Sequence, residues 1–287
     1  MPSSVAELVE LLDLEVIEDN LFRGRQPDTS MQRVFGGQVL AQSLVAAVRT
    51  VSDPFACHSM HSYFLRPGDT KVPIIYDVEA IRDGRSFCTR RVAARQHGRP
   101  IFFLTANFQV PEKGLEHQDR MPEVPSPEDC APSVEQMSRY KQDWLQEWAA
   151  LDVRPVADSR EGGSLDTTHH PARSQWWIRA SDPLPDDPVT QLAAFTYASD
   201  MTLLPAALVP HGLYIESPGM QAASLDHSIW FHRPFRADEW WLYDQVSPMA
   251  HGGRGLALGR VFTQDGTLVA TVAQEGMIRV VDRPARS

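Results

Sequence analysis

The sequence predicts an α+β protein made of two copies of one unit, in which an antiparallel sheet wraps around a central helix. Two observations lead to this prediction. In the first half of the chain, one helix-like segment is followed by four strand-like runs joined by short turns. In the second half, motifs of the first half return in the same order. A helix followed by consecutive hairpins is typical of a sheet that curls around that helix.

The first half begins with an amphipathic helix expected over residues 5–13, and then a strand over 14–24 that turns at Asp19-Asn20. A second helix is expected after Gly36-Gly37, because the apolar residues at positions 40, 44, 47 and 48 fall on one helical face. Glycine-containing turns separate the strand-like runs that follow it. These runs are expected at residues 58–65, 73–81, 86–96 and 100–110.

The middle of the chain has a different composition, with prolines at 111, 122, 125, 127 and 132 that mark a linker. A helix is expected after this linker, and residues 158–172 form a polar loop. We therefore predict an N-terminal domain of residues 1–112, a linker and helix of residues 113–150, and a C-terminal domain of residues 151–287. The expected helix presents one apolar face, formed by Met137, Tyr140, Trp144, Leu145 and Trp148.

The second half repeats short motifs of the first, and the longest of them, residues 61–67, returns at an offset of 166 to 167 residues. The alternative is a coincidence between hairpin patterns, but the matches keep their order and nearly their spacing, which favours a duplication. The matched pairs are residues 61–67 with 227–234, Tyr76-Asp77 with Tyr243-Asp244, Gly84-Arg85 with Gly253-Arg254, and the neighbourhood of Gln109 with Gln274-Glu275.

The composition favours a soluble globular protein, with 43% hydrophobic and 22% charged residues among 287. The net charge of −10 disfavours a nucleic-acid partner, which requires a basic surface. The three cysteines are odd in number and widely spaced, so neither a disulfide framework nor a zinc site is expected. They are Cys57, Cys88 and Cys130.

No targeting segment is expected. No apolar run approaches the ~20 residues of a membrane span, so no membrane partner is predicted. The N-terminus lacks the basic region of a signal peptide, and the C-terminus lacks a peroxisomal address. A cytoplasmic location is therefore the default expectation.

Several long motifs resemble the acyl-CoA thioesterase II family of double-hotdog hydrolases. The resemblance covers nearly the whole chain and is weak only over residues 111–172. It implies two hotdog domains, hydrolysis of fatty acyl-CoA to free acid and CoA without a cofactor, and a homo-oligomer of two or more chains. We expect medium or long acyl chains. The motifs are Phe35-Gly36-Gly37-Gln38-Val39, residues 58–69 and 82–87, Tyr197-Ala198-Ser199-Asp200, residues 226–235 and 262–266, and Gln274-Glu275-Gly276-Met277.

The resemblance places the family's catalytic set on Asp200, Ser224 and Gln274. Asp200 lies in an otherwise apolar, helix-like run at 192–208, where a buried carboxylate needs partners. We expect the three side chains to meet at one water molecule, with Asp200 as its general base and the other two fixing its direction. A thioester has a thiol leaving group, so an oriented water suffices without a metal or a covalent nucleophile. Gly36-Gly37 at a helix start is a candidate oxyanion donor.

Other chemistry receives less support from the sequence. No Gly-x-Ser-x-Gly elbow is present. His169-His170 lacks a third metal ligand, and Gly252-Gly253-Arg254-Gly255 is a turn rather than a phosphate loop. Two alternative functions remain open. An enoyl-CoA hydratase predicts a histidine beside Asp200, and a non-catalytic acyl-CoA-binding protein predicts binding without turnover. The strand histidines are interpreted as structural, with pairing to a carboxylate such as Asp226 left open; they are His58, His61, His227 and His232.

Overall fold

A computed structural model describes residues 1–132, 148–159 and 172–281. Most of the helix expected after the linker, and the pair His169-His170, lie outside the described residues. The predicted division into residues 1–112, 113–150 and 151–287 stays a prediction for that reason.

The first half contains the helices and strands that the periodicity predicts, with helix α2 beginning three residues earlier than the apolar pattern. The expected turn at Asp19-Asn20 is confirmed, and Asn20 has a positive φ of 60°. The elements are α1 (Val5–Leu12), β1 (Glu15–Glu18), β2 (Leu21–Gly24), α2 (Gly36–Val48), β3 (Ala56–Phe64), β4 (Ile74–Asp83), β5 (Phe87–Gln96) and β6 (Arg99–Gln109).

The second half repeats this arrangement of one long helix and a set of antiparallel strands. Two short 3₁₀ helices, Pro127–Asp129 and Leu204–His211, accompany it. Its elements are β7 (Leu151–Asp158), β8 (Arg173–Ala180), α3 (Pro188–Ser199), β9 (Met220–Ser224), β10 (Asp226–Phe231), β11 (Trp241–His251), β12 (Arg254–Thr263) and β13 (Leu268–Val280).

The sheets of the two halves join edge to edge. The strand order is β1-β2-β4-β5-β6-β3 in the first half and β10-β13-β12-β11-β8-β7 in the second, with β9 paired to β13. Strands β3 and β10 form the seam, where Ser228 pairs with His61 and Ile229 with Met60. The predicted sheets around central helices are therefore present, and hydrogen bonds across the seam make them one continuous sheet of thirteen described strands.

The seam shows how the two copies correspond. Aligning Arg66-Pro67 with Arg233-Pro234 matches Met60 to His227, and both side chains are fully buried. The sequence repeat pairs His61 with His227 because both are histidines. These two side chains do not lie on the same face of the sheet, because His61 is exposed. A shift of one residue along a strand moves a side chain to the opposite face. Within these strands the repeat therefore holds at the offset of 167.

Helix α3 is shorter than the apolar run predicts. It ends at Ser199, and Asp200 is its C-terminal cap rather than an interior residue. Pro205, which has no N–H to donate and restricts the residue before it, then lies in the first turn of the 3₁₀ helix Leu204–His211. The apolar side chains continue across this break, which is why the sequence shows one helix-like run.

One expectation about apolar runs is wrong. The stretch Pro188–His211 is long and apolar enough to cross a membrane by length and composition. Within the fold, 78% of its most apolar window is buried, which is the pattern of a core helix. The predicted absence of a membrane partner stays a prediction.

Helices α2 and α3 lie side by side in opposite directions at the centre of the molecule. Nearly all of α2 is buried, including the small residues Ala41, Ala46 and Ala47. The helices approach most closely at Gly37, where a Cβ atom would lie 2.2 Å from the carbonyl oxygen of Tyr197. Glycine at this position lets the N-terminus of α2 reach the C-terminus of α3.

We expect Gly37→Ala to lower the free energy of unfolding by about 3 kcal/mol or more, because the added methyl meets backbone rather than a movable side chain. Gly114→Ala is the matched control, since a Cβ at Gly114 meets nothing within 4 Å. Urea unfolding of both variants measures the difference. Equal stability of Gly37→Ala and wild type would contradict the close approach of the two helices.

Candidate active site

Asp200 lies where the C-terminus of α3 meets the N-terminus of α2. A Cβ atom on Gly36 would lie 2.5 Å from Asp200 Oδ2, so only glycine leaves room for the carboxylate here. The Gly37 backbone N–H donates a hydrogen bond to this carboxylate. A helix N-terminus carries partial positive charge that stabilises an anion. The first half of the chain therefore supplies part of the environment of a carboxylate from the second half.

The structure brings together all three residues that the sequence predicts for the site. Gln274 Nε2 donates to Asp200 Oδ1 at 2.6 Å and to Ser224 Oγ at 2.8 Å. Ser224 Oγ lies 3.4 Å from the same carboxylate oxygen. Gln274 is fully buried, and the Asp200 side chain is 5% exposed. The side chains come from the end of α3, the end of β9 and the middle of β13.

A β-bulge between β9 and β10 determines which side chains reach Asp200. Ser224 pairs with Gly276 of β13, and Ser228 pairs with Ala273. Three residues of β9–β10 therefore oppose two residues of β13. In a regular strand, residues three apart point to opposite faces. The extra residue instead turns Ser224 and His227 to the same face.

The Asp226 carboxylate holds this bulge in place. Its Oδ1 accepts a hydrogen bond from the Glu275 backbone N–H at 2.7 Å. Leu225 N–H donates to the Glu275 carbonyl at 2.9 Å, which continues the pairing across the irregularity. Burial raises the pKa of Asp226, and this hydrogen bond works in the opposite direction. The Asp226 carboxylate oxygen therefore accepts the hydrogen bond that a backbone carbonyl would accept in a regular strand pair.

His227 is the site residue that sequence reasoning missed. Its Nδ1 lies 3.7 Å from Asp200 Oδ1, and the ring is fully buried. The sequence interpretation treated it as structural, or paired with Asp226, whose carboxylate instead bonds the Glu275 N–H. Strand alternation places His227 on the face opposite to Ser224. No pattern in the sequence marks the bulge that reverses this.

Burial dominates the electrostatics of the site. It raises the pKa of Asp200 from 3.8 to about 7, against hydrogen bonds from Gln274, Gly37 and Ser224 that lower it. Burial also lowers the pKa of His227 to about 3, so this imidazole is neutral at neutral pH. The contact between Asp200 and His227 is therefore a carboxylate beside a neutral ring, and not an ion pair. Tyr243, with a pKa raised well above 10 by burial, donates to the Ser199 carbonyl at 3.1 Å.

The other end of the helix pair carries different residues at the matching places. Arg49 caps the C-terminus of α2, as Asp200 caps α3, and it is held by Asp13 at 2.5 Å and by the Leu14 carbonyl. Asp187 caps the N-terminus of α3, within electrostatic reach of Arg49. Gln274 lies beside His227 on the neighbouring strand, and Ala106 lies at the same place beside Met60 in the first half. This end has a charged pair and an alanine at the places that Asp200 and Gln274 occupy at the other end.

The remaining sequence candidates lie elsewhere or have other partners. The sequence suggested Gly36-Gly37 as donors to the oxyanion. The Gly37 N–H already donates to Asp200, so it is not available for that role. His58, His61 and His232 bond Asn107, Ser228 and Thr271, respectively. Within the described ranges, no group of three or more His, Cys, Asp or Glu side chains could hold a metal. Gly252-Gly253 forms a turn with positive φ, as expected.

A cavity of about 400 Å³ does not coincide with this site. It is lined by Arg173, Trp230, Asp244 and Arg260 among others, on the sheet face away from the helices, and it includes none of the three predicted residues. The Asp244 carboxylate there is 1% exposed and is held by Arg173 at 2.9 Å and by Arg260 at 2.5 Å. The buried carboxylate with a raised pKa is the better indicator of chemistry, because Asp244 has a lowered pKa and two cationic partners.

Comparisons with known proteins give matches over nearly the whole chain. Residues 150–277 match the family model described as acyl-CoA thioesterase, and residues 25–109 match the acyl-CoA thioesterase N-terminal domain. The chain is 43% identical to acyl-CoA thioesterase 2 of Haemophilus influenzae, over 97% of this chain and 99% of that protein. It is 40% identical to acyl-coenzyme A thioesterase 8 of Homo sapiens, over 96% and 90%. The crystal structure of an acyl-CoA thioesterase II from Mycobacterium marinum superimposes with a TM-score of 0.82 at 47% identity, covering 95% of this chain and 98% of that one.

The hydrogen bond between the Asp226 carboxylate and the Glu275 N–H can be tested by substitution. Asp226→Ala leaves the partly buried Glu275 N–H without its acceptor, which costs about 1 kcal/mol or more of folding free energy. Asp226→Asn keeps an acceptor oxygen and serves as the control. Amide hydrogen exchange at Glu275 and urea unfolding measure both effects. Wild-type protection of this amide in Asp226→Ala would contradict the assigned role.

A second expected outcome concerns pH. Because the pKa of Asp200 is raised from 3.8 to about 7, the folded state binds its proton more tightly than the unfolded chain does. This favourable contribution is complete below the unfolded pKa and is lost as the pH rises through 7. Asp200→Asn has no proton to lose. Its stability relative to wild type should therefore increase between pH 4 and pH 8 by up to about 4 kcal/mol, at ~1.4 kcal/mol per pKa unit.

Chemical unfolding of both proteins at several pH values provides this measurement. A constant difference between Asp200→Asn and wild type would show that the carboxylate is not buried in the folded protein. Asp19→Asn, at an exposed turn, is the control and should follow wild type throughout.

Proposed function

Because this chain belongs to the acyl-CoA thioesterase family and is an acyl-CoA thioester hydrolase, we propose that it cleaves medium- and long-chain acyl-CoA through a water activated by Asp200, Ser224 and Gln274. One observation carries this proposal. A buried carboxylate with a pKa near neutrality is held by Gln274, Ser224 and the Gly37 N–H. A general base works best when its pKa lies near the operating pH.

The hydrogen bonds assign a direction to each group. Both donors of Gln274 Nε2 are used, on Asp200 Oδ1 and on Ser224 Oγ. Gln274 Oε1 is buried and has no partner among the described residues. This oxygen can accept one proton of a water, while Asp200 accepts the other. Ser224 can donate its hydroxyl proton to the water or to the carboxylate.

The reaction then needs one proton transfer in each direction. Ionised Asp200 takes a proton from water as the water oxygen attacks the thioester carbonyl carbon. The tetrahedral intermediate collapses with cleavage of the C–S bond. The thiolate leaves and is protonated, and Asp200 returns to its ionised form. A thiol with a pKa near ~8.5 is a good enough leaving group for a mechanism without a covalent nucleophile.

The proposed preference for medium and long chains is supported by the apolar surroundings of the site. Phe35, which precedes α2, packs edge-on against Tyr197 at 5.1 Å and against Trp148 at 4.9 Å between ring centroids. These rings lie beside the helix junction that holds Asp200. Aromatic and apolar side chains are the usual lining of a site for an alkyl chain.

A hydratase reading receives partial support and is the second candidate. It predicts a histidine beside Asp200, and His227 lies there. However, this ring is fully buried and its Nε2 contacts Ser199 Oγ at 3.0 Å, so it does not face a substrate. Ser224 and Gln274 also contact the Asp200 carboxylate, and the hydratase hypothesis does not require these contacts. The thioesterase reading accounts for all of these contacts.

We also propose a homo-oligomer and a cytoplasmic location, without a nucleic-acid or membrane partner. The net charge of −10 supports the absence of a nucleic-acid partner. The burial of Pro188–His211 supports its role as a core helix rather than a membrane anchor.

Release of free thiol from a panel of saturated acyl-CoAs tests the function. We expect turnover to be highest on medium and long chains, and kcat to rise as the pH passes through about 7. Asp200→Asn should lower kcat by about 10²–10⁴-fold, the usual contribution of a general base. Asp19→Asn is the matched control. Undiminished turnover in Asp200→Asn would discard the mechanism, and binding without turnover would favour the acyl-CoA-binding alternative.

A further inference from the structure

His227 has a defined tautomer, because its two ring nitrogens have different surroundings. Ser199 Oγ lies 2.8 Å from the Thr196 carbonyl and 3.0 Å from His227 Nε2. A carbonyl only accepts, so the single hydroxyl proton of Ser199 is donated to Thr196. Ser199 Oγ then accepts from His227, which places the ring proton on Nε2. This is the arrangement that satisfies both contacts.

The other nitrogen, Nδ1, consequently presents a lone pair to Asp200. It lies 3.7 Å from Asp200 Oδ1, is buried, and has no hydrogen-bond partner among the described residues. Two lone pairs repel each other when Asp200 is ionised. When Asp200 is protonated, its O–H can donate to Nδ1. The neutral ring therefore favours the protonated form of the carboxyl group, which is the form it adopts after taking a proton from water.

The other groups around Asp200 act in different ways. Gln274 and Ser224 and the N-terminus of α2 donate to the carboxylate and favour the ionised form. From β11, Tyr243 faces the Ser199 carbonyl and keeps its proton, because burial raises its pKa. The nearby acids of the bulge have their own partners, since Asp226 accepts from the Glu275 N–H and Glu275 pairs with Arg254 at 3.0 Å. Among the ion pairs of the described residues, Asp200 has no lysine or arginine partner.

We propose that His227 is a positioning residue that strengthens Asp200 as a base, by accepting a hydrogen bond at Nδ1 from the carboxyl group once that group has taken its proton from water. Nδ1 stays unprotonated throughout, because the proton remains on Asp200 until it passes to the departing thiolate. This inference rests on the proposed function for the identity of the base. It adds a residue that does not touch the substrate.

The test compares pH profiles of kcat and KM for thiol release from one long-chain acyl-CoA. In His227→Met, the acceptor is lost at similar side-chain volume. The first half of the chain carries Met60, fully buried, at the matching place, so methionine fits this environment. We expect the limiting kcat above the acid limb to fall by up to about tenfold with KM unchanged, and the acid limb to move about one pH unit lower, as expected when a hydrogen bond to the protonated form is lost.

A second variant keeps His227 but removes the hydrogen bond that fixes its tautomer. In Ser199→Ala, Nε2 loses the acceptor that holds its proton, so the proton can move to Nδ1 and be donated to the Asp200 carboxylate. We expect the acid limb to move to lower pH in this variant too. His232→Met is the matched control, since His232 bonds Thr271 and none of the groups around Asp200, and it should leave the profile unchanged.

The outcomes separate this proposal from the proposed function. An acid limb unchanged in both His227→Met and Ser199→Ala overturns the role of His227, even if kcat falls. If His227→Met does not fold, Ser199→Ala alone decides in the same way. Full activity in Asp200→Asn would overturn the assignment of the base itself. A shifted limb in both variants, together with an inactive Asp200→Asn, supports the proposal.

Discussion

The burial of one carboxylate is the constraint on which the site depends. An ionised side chain taken out of water is unfavourable by several kcal/mol unless dipoles and hydrogen bonds replace its solvation. Here the replacement comes from an amide side chain, a hydroxyl and the N-terminus of a helix from the other half of the chain. These groups do not fully compensate for burial, and the pKa of Asp200 is therefore raised to about 7. The same incomplete compensation that opposes stability gives the carboxylate a pKa near neutrality, which is the property that the proposed role of Asp200 as a base requires.

The duplication explains where that environment comes from. Two helices in opposite directions create two similar junctions, each with the cap of one helix against the start of the other. At one junction the cap is Asp200, facing Gly36 and Gly37. At the other the cap is Arg49, facing Asp187, with Met60 and Ala106 at the places of His227 and Gln274. The two caps carry opposite charges, while the antiparallel arrangement of the helices is kept.

Irregular backbone completes the site. Regular strands cannot turn Ser224 and His227 to one face, because side chains alternate along a strand. The bulge at Leu225-Asp226 reverses the alternation, and the Asp226 carboxylate bonds the N–H that the bulge leaves without a strand partner. His227 Nε2 contacts Ser199 Oγ, and Nδ1 faces the carboxylate. The surroundings of Asp200 thus depend on a strand irregularity and on a helix C-terminus.

The sequence by itself determined the class of fold, the positions of most strands, the central helices and the three residues that meet at the carboxylate. Periodicity and turn residues report local structure directly, and long motifs such as residues 58–69 and 226–235 report ancestry. Only the tertiary structure decided that α3 ends at Ser199, that the two sheets join at the β3–β10 seam, and that His227 lies beside Asp200. These features depend on contacts between residues far apart in the chain and on a bulge without a local signature. Burial, which sets the pKa of Asp200, is likewise a property of the assembled core and not of any segment.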